Sequence, residues 1–333
     1  MAWRAIAAVS VCLFTAGAAP AIPAAASAVP ATALPAVVRS AVNGQAAMPT
    51  AAVRSAVTGS PGCDTVARRV TSGRGPEPHA PAPAQVAEMF ADLRRRQSGM
   101  RRGPWAPITV PTWVHVISAG PLGARDSAVR DQLAALNAAY GGRLGGVDTG
   151  IQFRLDGLTR TENAAWFRAP LAYEAAIKRL RRGGAGTLNL YVAQLSQLVL
   201  GYSTYPYLYK SQPALDGVVI DWRSLPGGSL RNFDRGFTGV HEIGHWLGLL
   251  HTFENGCVSP GDGVADTAPE SKPTEGCPVS KDTCNGEGGD PVHNFMDYTH
   301  DHCMSEFTAG QAARMHEMWA VYRGSEPDLT LDG

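Results

Sequence analysis

Three of the nine histidines in this 333-residue chain stand within eleven residues, HEIGHWLGLLH, His241 to His251. Apolar residues at Val240, Ile243, Leu247 and Leu250 predict a helix there, with Thr238 as its expected N-cap. Residues four apart share one helix face, so His241 and His245 offer two imidazoles to one point, as a zinc ion requires. Glu242 follows the first His and points about 100° away. From there it can reach a metal-bound water without ligating the metal, and can take that water's proton during attack on a carbonyl. His251 would leave this face if the helix ran straight. Gly248 can end the helix in a left-handed turn and bring His251 back. Three His and one open position make a catalytic rather than a structural zinc site. A set of core or surface histidines satisfied by hydrogen bonds would explain neither the Glu nor the Gly.

The long motif H-E-x-x-H-x-x-G-x-x-H, with NFMDY (Asn294–Tyr298) further on as a Met-turn, resembles the metzincin zinc endopeptidases. HEIGHWLGLLHTFENGC, GDGVADTAPE, GCPVSKDTC and NFMDYTHDHCMSEFTAGQAARM together look like the pappalysin group, including its bacterial cytophagalysin-type members. The resemblance spans about Gly239 to Met315. It implies that Met296 lies beneath the three His as an apolar floor and that Tyr298 stabilises the oxyanion. It implies that the strand LGYSTYP pairs with an extended peptide substrate. It also implies disulfides Cys257–Cys284 and Cys277–Cys303, although four Cys allow three pairings on sequence alone. Asp262, Asp266, the Thr267 carbonyl and Glu270 offer hard oxygen ligands in a turn-rich loop, and the resemblance suggests calcium. The alternative there is a solvated acidic loop. In Arg-preferring relatives an Asp directly precedes the Cys matching Cys303. Here that position is His302, with Asp301 one residue earlier, and a broader or shifted P1′ preference is expected.

The elements that must carry this site follow from periodicity. ITVPTWVHVIS alternates as a strand, RDSAVRDQLAALNAAYG has helical spacing, IQFRLDGLTRT reads as a strand and YEAAIKRLRRGG as a helix. TLNLYVAQL, the edge strand GYSTYP and DGVVIDWRSL complete a mostly parallel α/β sheet. Beyond His251 the pattern dissolves into Gly, Pro, Asp and Cys. The expected fold is therefore a metzincin-type α/β half followed by an irregular, disulfide-stapled half, with the cleft between them.

The front of the chain differs. Arg4 and the apolar AIAAVSVCLFTAGAA, with small residues to Ala28, read as a secretory signal too short to span a bilayer. Residues 29–102 are rich in Ala, Pro and Val and are expected to be a propeptide, a solvated linker being the alternative, with a helix at PAQVAEMFADLRRR and exposed Arg clusters at 94–96 and 101–102. The catalytic domain is expected over 103–333. Residues 1–102 hold eleven Arg against four acidic residues, a net +7, which leaves −7 on the remainder of a chain neutral overall. An acidic body argues against nucleic acid as partner. Cys12 leaves with the signal and four Cys can pair, so Cys63 is odd. Its thiolate is a candidate fourth zinc ligand in a zymogen, with Asp64 as a rival. These readings converge on a secreted zinc metalloendopeptidase made as a zymogen, with peptides or proteins and its own propeptide as partners. A non-catalytic zinc-containing binding module would not need Glu242. A zinc hydrolase of non-peptide amides would not need the pairing edge.

Overall fold

Val110, Val114 and Val116 alternate toward one face of β1 (Ile108–Ser118), which is the centre from which the sheet grows. The computed structural model describes residues 74–98, 104–196, 198–286 and 288–324. The predicted signal and Cys63 lie outside them. β1 pairs in parallel with β2 (Ile151–Glu162) on one side and β3 (Leu188–Ala193) on the other. β5 (Val218–Asp221) extends the sheet in parallel, and β4 (Gly201–Ser203) closes it as an antiparallel edge. The order β2-β1-β3-β5-β4 is the mostly parallel sheet expected, with the predicted edge strand at its border.

All six residues of β3 are buried, because both faces of the sheet are covered. One face carries α2 (Asp126–Tyr140) and α5 (Phe237–Trp246), whose Val129, Leu133, Leu136, Val240, Ile243 and Trp246 join the main core. The Tyr140 hydroxyl donates to the Val240 carbonyl at 3.0 Å and ties the two helices together. The other face is covered by the short helices α3 (Ala164–Arg168) and α4 (Glu174–Ile177), through Phe167 and Ile177.

The helix expected over Tyr173–Gly184 is shorter than its periodicity suggests. Only α4 is α-helical, and a 3-10 turn follows at Lys178–Leu180. The Lys178 ammonium is drawn inward, donates to the Leu215 carbonyl and pairs with Glu174 at 2.7 Å. Thr238 is not the N-cap of α5. Gly236 holds that position and the Thr238 hydroxyl is buried inside the helix. The capping acceptor comes from far along the chain: the Asp301 carboxylate takes the N–H groups of Arg235 at 2.8 Å and Phe237 at 3.5 Å.

After α5 the described chain is irregular until α6 (Ala309–Met318), which opens with a Thr308/Gln311 capping box. The disulfides Cys257–Cys284 and Cys277–Cys303 staple this half, in the pairing the resemblance implied. Ahead of the sheet, α1 (Pro83–Gln97) forms where its spacing predicted and buries Val86, Met89, Phe90 and Leu93 against Tyr205, Leu250 and Met318. Among the described residues no helix is long and apolar enough to cross a membrane.

Candidate active site

Every residue of α5 is buried, so its histidines face an interior cleft rather than solvent. Gly248, directly beyond the helix, has φ +98°, a backbone that side-chain-bearing residues rarely adopt. Its N–H closes on the His245 carbonyl at 2.9 Å, and the chain folds back to bring His251 to the other two rings. The Nε2 atoms of His241 and His251 lie 3.2 and 3.1 Å from that of His245. Ligands at about 2.0–2.1 Å around a tetrahedral zinc stand about 3.3 Å apart, so this spacing fits such an ion.

The opposite ring nitrogens set which atoms face inward. His241 Nδ1 donates to the Phe295 carbonyl at 2.7 Å and His245 Nδ1 to the Leu249 carbonyl at 2.8 Å. Both therefore present Nε2 lone pairs to the centre. Burial, with the nearby Arg74 charge, pushes His241 down to about 3, and burial pushes His251 down to about 4. Neutral imidazoles with converging lone pairs repel one another unless a cation lies between them, and the donor set is the one zinc takes.

Glu242 projects beside this centre, fully buried, and its Oε2 has no hydrogen-bond partner among the described residues. Burial and the charge of Glu77 hold its carboxyl well above the usual range, against the pull of Arg74. Met296 is fully buried beneath the helix, and a Cβ at Gly244 would stand 2.4 Å from its sulfur. Met296 thus packs directly against the helix that carries His241 and His245. The Tyr298 ring centroid lies 5.7 Å from that of His241 and 5.1 Å from that of His251, on the cleft side. Burial raises its phenol above the ordinary range, so the hydroxyl stays a donor.

Sequence reasoning missed two residues here. The Glu77 carboxylate sits on the three imidazoles, with Oε1 3.1 Å from His241 and 3.3 Å from His251, and Oε2 3.2 Å from His245. Burial opposes its ionisation, yet His251, His241 and His245 hold it well below the usual carboxylate range. Arg74 lies 3.3 Å from Glu242 and 3.6 Å from Glu77. The available signal was RGPEP, an Arg and a Glu three apart where acidic residues are scarce. Cys63, the expected fourth ligand, lies outside the described residues; among those described, the carboxylate beside the three rings is that of Glu77.

The acidic loop is arranged differently from a single cation cage. Asp262 accepts from Thr267 and the Val264 N–H, and Asp266 from Thr308 and the Gly310 N–H. Glu270 accepts from Thr252, Thr274 and the Lys281 ammonium. Among the described residues these three carboxylates do not converge as the active-site ligands do. A second cluster, Cys277, His302 and Cys303, brings ligand atoms together, but its sulfurs are joined in a disulfide. Asp301 is 2% exposed, and its Oδ2 accepts from the N–H groups at the helix N-terminus.

The pregnancy-associated plasma protein-A peptidase family matches residues 201–320. The chain is 42% identical over 229 residues to an extracellular metalloprotease of Verticillium alfalfae, covering 66% of this chain and 78% of the relative. It is 39% identical over 271 residues to extracellular metalloprotease 1 of Coccidioides posadasii, covering 78% and 92%. Among solved structures, a promirolysin mutant of Tannerella forsythia aligns with TM-score 0.62 and 27% identity, over 72% of this chain and 89% of that one. Mature mirolysin of the same organism, in complex with a cleaved peptide, aligns with TM-score 0.56 and 30% identity, over 64% and 91%.

Proposed function

Because this chain belongs to the pappalysin group of metzincins and is a secreted metalloendopeptidase, we propose that His241, His245 and His251 hold its catalytic zinc and that Glu242 is its general base. The observation that carries this reading is the convergence of three imidazole Nε2 atoms beside the buried Glu242 carboxyl. Zinc held there would lower the pKa of a water and polarise the scissile carbonyl. The chain's own groups do the rest. Glu242 takes the water's proton and passes it to the leaving amine. Tyr298 donates its hydroxyl to the developing oxyanion. The edge strand β4 offers unpaired main-chain groups to an extended peptide, which selects substrates by backbone before side chain. Mirolysin's complex with a cleaved peptide supports peptides as the substrate class.

Residues 29–102 form the pro-segment in this reading, released by cleavage before the catalytic domain from 103 onward. The larger share of this chain matched by the promirolysin mutant than by mature mirolysin supports that division. The binding-module and non-peptide hydrolase readings are not favoured, since the relatives are metalloproteases. Calcium in the 262–270 loop has no geometric support comparable to that of the zinc centre.

The test is Glu242→Gln. It is expected to keep stoichiometric zinc and the wild-type melting curve, and to lose about 10²–10⁴-fold in turnover of a quenched peptide. Activity above about a tenth of wild type would remove Glu242 from the general-base role.

A further inference from the structure

Every group assigned to chemistry above is already engaged by one short stretch of the chain's own pro-segment. We propose that Arg74 and Glu77 form a two-pronged plug that keeps the zymogen latent, Glu77 as carboxylate ligand to the catalytic metal and Arg74 as a clamp on the general base. The proposal rests on the reading of His241, His245 and His251 as zinc ligands.

Both Glu77 oxygens stand 3.1 to 3.3 Å from imidazole Nε2 atoms. That is the spacing between neighbouring ligands of one tetrahedral ion, so a Glu77 oxygen takes the position that a catalytic water needs. The Tyr298 hydroxyl donates to Glu77 Oε1 at 3.2 Å, which occupies the oxyanion donor as well. Arg74 donates to Glu242 Oε1, and its guanidinium lies 4.7 Å from the centre of the Tyr298 ring. A base that receives a guanidinium hydrogen bond on that oxygen cannot use it to collect a proton from water. Arg74 and Glu77 side chains are 3% and 6% exposed, so each buried charge has its counterpart within the same cleft.

The segment also occupies the approach to the cleft. The Gly75 N–H donates to the Leu198 carbonyl at 2.6 Å, immediately upstream of β4. Beyond the plug, Pro78 lines an apolar cavity of about 440 Å³ with Leu171, Leu195, Val199 and Tyr202. α1 then anchors the segment. Phe90 packs so closely on Gly263 that a Cβ there would stand 2.4 Å from its ring, and the Tyr322 hydroxyl donates to Asp92 at 2.7 Å. Tethering raises the effective concentration of the plug at the metal, so two side chains suffice where a free peptide would dissociate.

A thiol is not needed in this arrangement, and that makes it testable against Cys63. The full-length chain is loaded with cobalt in place of zinc and prepared as wild type, Cys63→Ala, Glu77→Gln, Glu77→Asp and Arg74→Gln, with mass spectrometry confirming that it is uncut. Wild type and Cys63→Ala are expected to share one absorption spectrum and to be latent toward a quenched peptide. Glu77→Gln is expected to take on the spectrum of the matured enzyme and to gain at least 10-fold in hydrolysis by the uncut chain. Glu77→Asp, with the charge kept and the reach shortened, is expected to lose the wild-type spectrum too, which covers a folding defect in the amide variant. Arg74→Gln should keep the wild-type spectrum while raising hydrolysis by the uncut chain. A spectral change on Cys63→Ala, or an unchanged spectrum in both Glu77 variants, overturns the plug. Chelation of the matured enzyme tests the metal reading separately: activity that survives it sinks that reading, whereas activity lost to chelation with latent Glu77 variants sinks the plug alone.

Discussion

At Gly201, an added Cβ would stand 2.5 Å from Glu242 Cγ, so the edge strand leaves Glu242 its place only by lacking a side chain there. Gly201→Ala is therefore expected to retain zinc and to lose about 10²-fold in kcat, because small misplacements of a catalytic group are costly. Metal content and steady-state kinetics on the matured enzyme check it. Wild-type turnover in that variant would mean that Glu242 relaxes freely. Tyr298→Phe removes only a hydroxyl. It should lower kcat by about 10²–10³-fold with KM little changed, since the donor acts on charge that develops in the transition state. A raised KM with kcat unchanged would instead assign Tyr298 to ground-state binding. His241, His245 and Glu242 were legible at this scale because a helix fixes their mutual directions, and His251 because Gly248 marks the turn beyond that helix. Glu77 was not, because 164 residues separate it from His241.

Among the elements, the turn after α5 carries the third histidine. Gly248→Ala would force φ +98° on a residue with a side chain and set a Cβ 2.3 Å from Met318 Cγ. The backbone conformation alone costs about 1–2 kcal/mol, and displacement of Met318 adds to it. A lower melting temperature and substoichiometric zinc are expected together, read by calorimetry and metal analysis. A normal zinc content would show that His251 does not depend on this turn. The irregular half depends on its staples. Cys277–Cys303 closes a sequence separation of 26, so its removal as a Ser/Ser pair should cost about 3 kcal/mol in denaturant unfolding. α4 shows where periodicity misleads: the pattern reads helix, but the buried Lys178 pair bends the chain away after one turn.

Across the whole molecule, one buried carboxyl joins the halves. Asp301, in the irregular half, caps the N-terminus of the active-site helix, and burial pushes it up to about 6 despite its two backbone donors and the Arg74 charge. Its folded pKa lies above the ordinary value near 3.9, so the folded state binds more protons between about pH 4 and 6. Its contribution is therefore fully present below about pH 4 and is lost as pH rises through about 6, on the order of 2 kcal/mol. Asp301→Asn should flatten that part of the stability curve in urea titrations at pH 4.5 and 7, whereas an unchanged slope would place the proton uptake elsewhere. Because this carboxylate faces the helix, a peptide library is expected to show no Arg-only selection at P1′.

The linear pattern determined the helix of His241 and His245, the strand and helix alternation, the edge strand and the position of α1, because each depends on contacts a few residues apart. It suggested two disulfides but left their pairing open until the fold brought Cys257 to Cys284 and Cys277 to Cys303. Tertiary structure alone decided three further things. It supplied the α5 cap from Asp301 rather than Thr238, spread the 262–270 acids over separate hydrogen-bond partners, and set Arg74 and Glu77 in the cleft. The physical reason is the same in each case: a charged group settles where long-range folding offers donors and counter-charges out of water, and no local period encodes where that place will be.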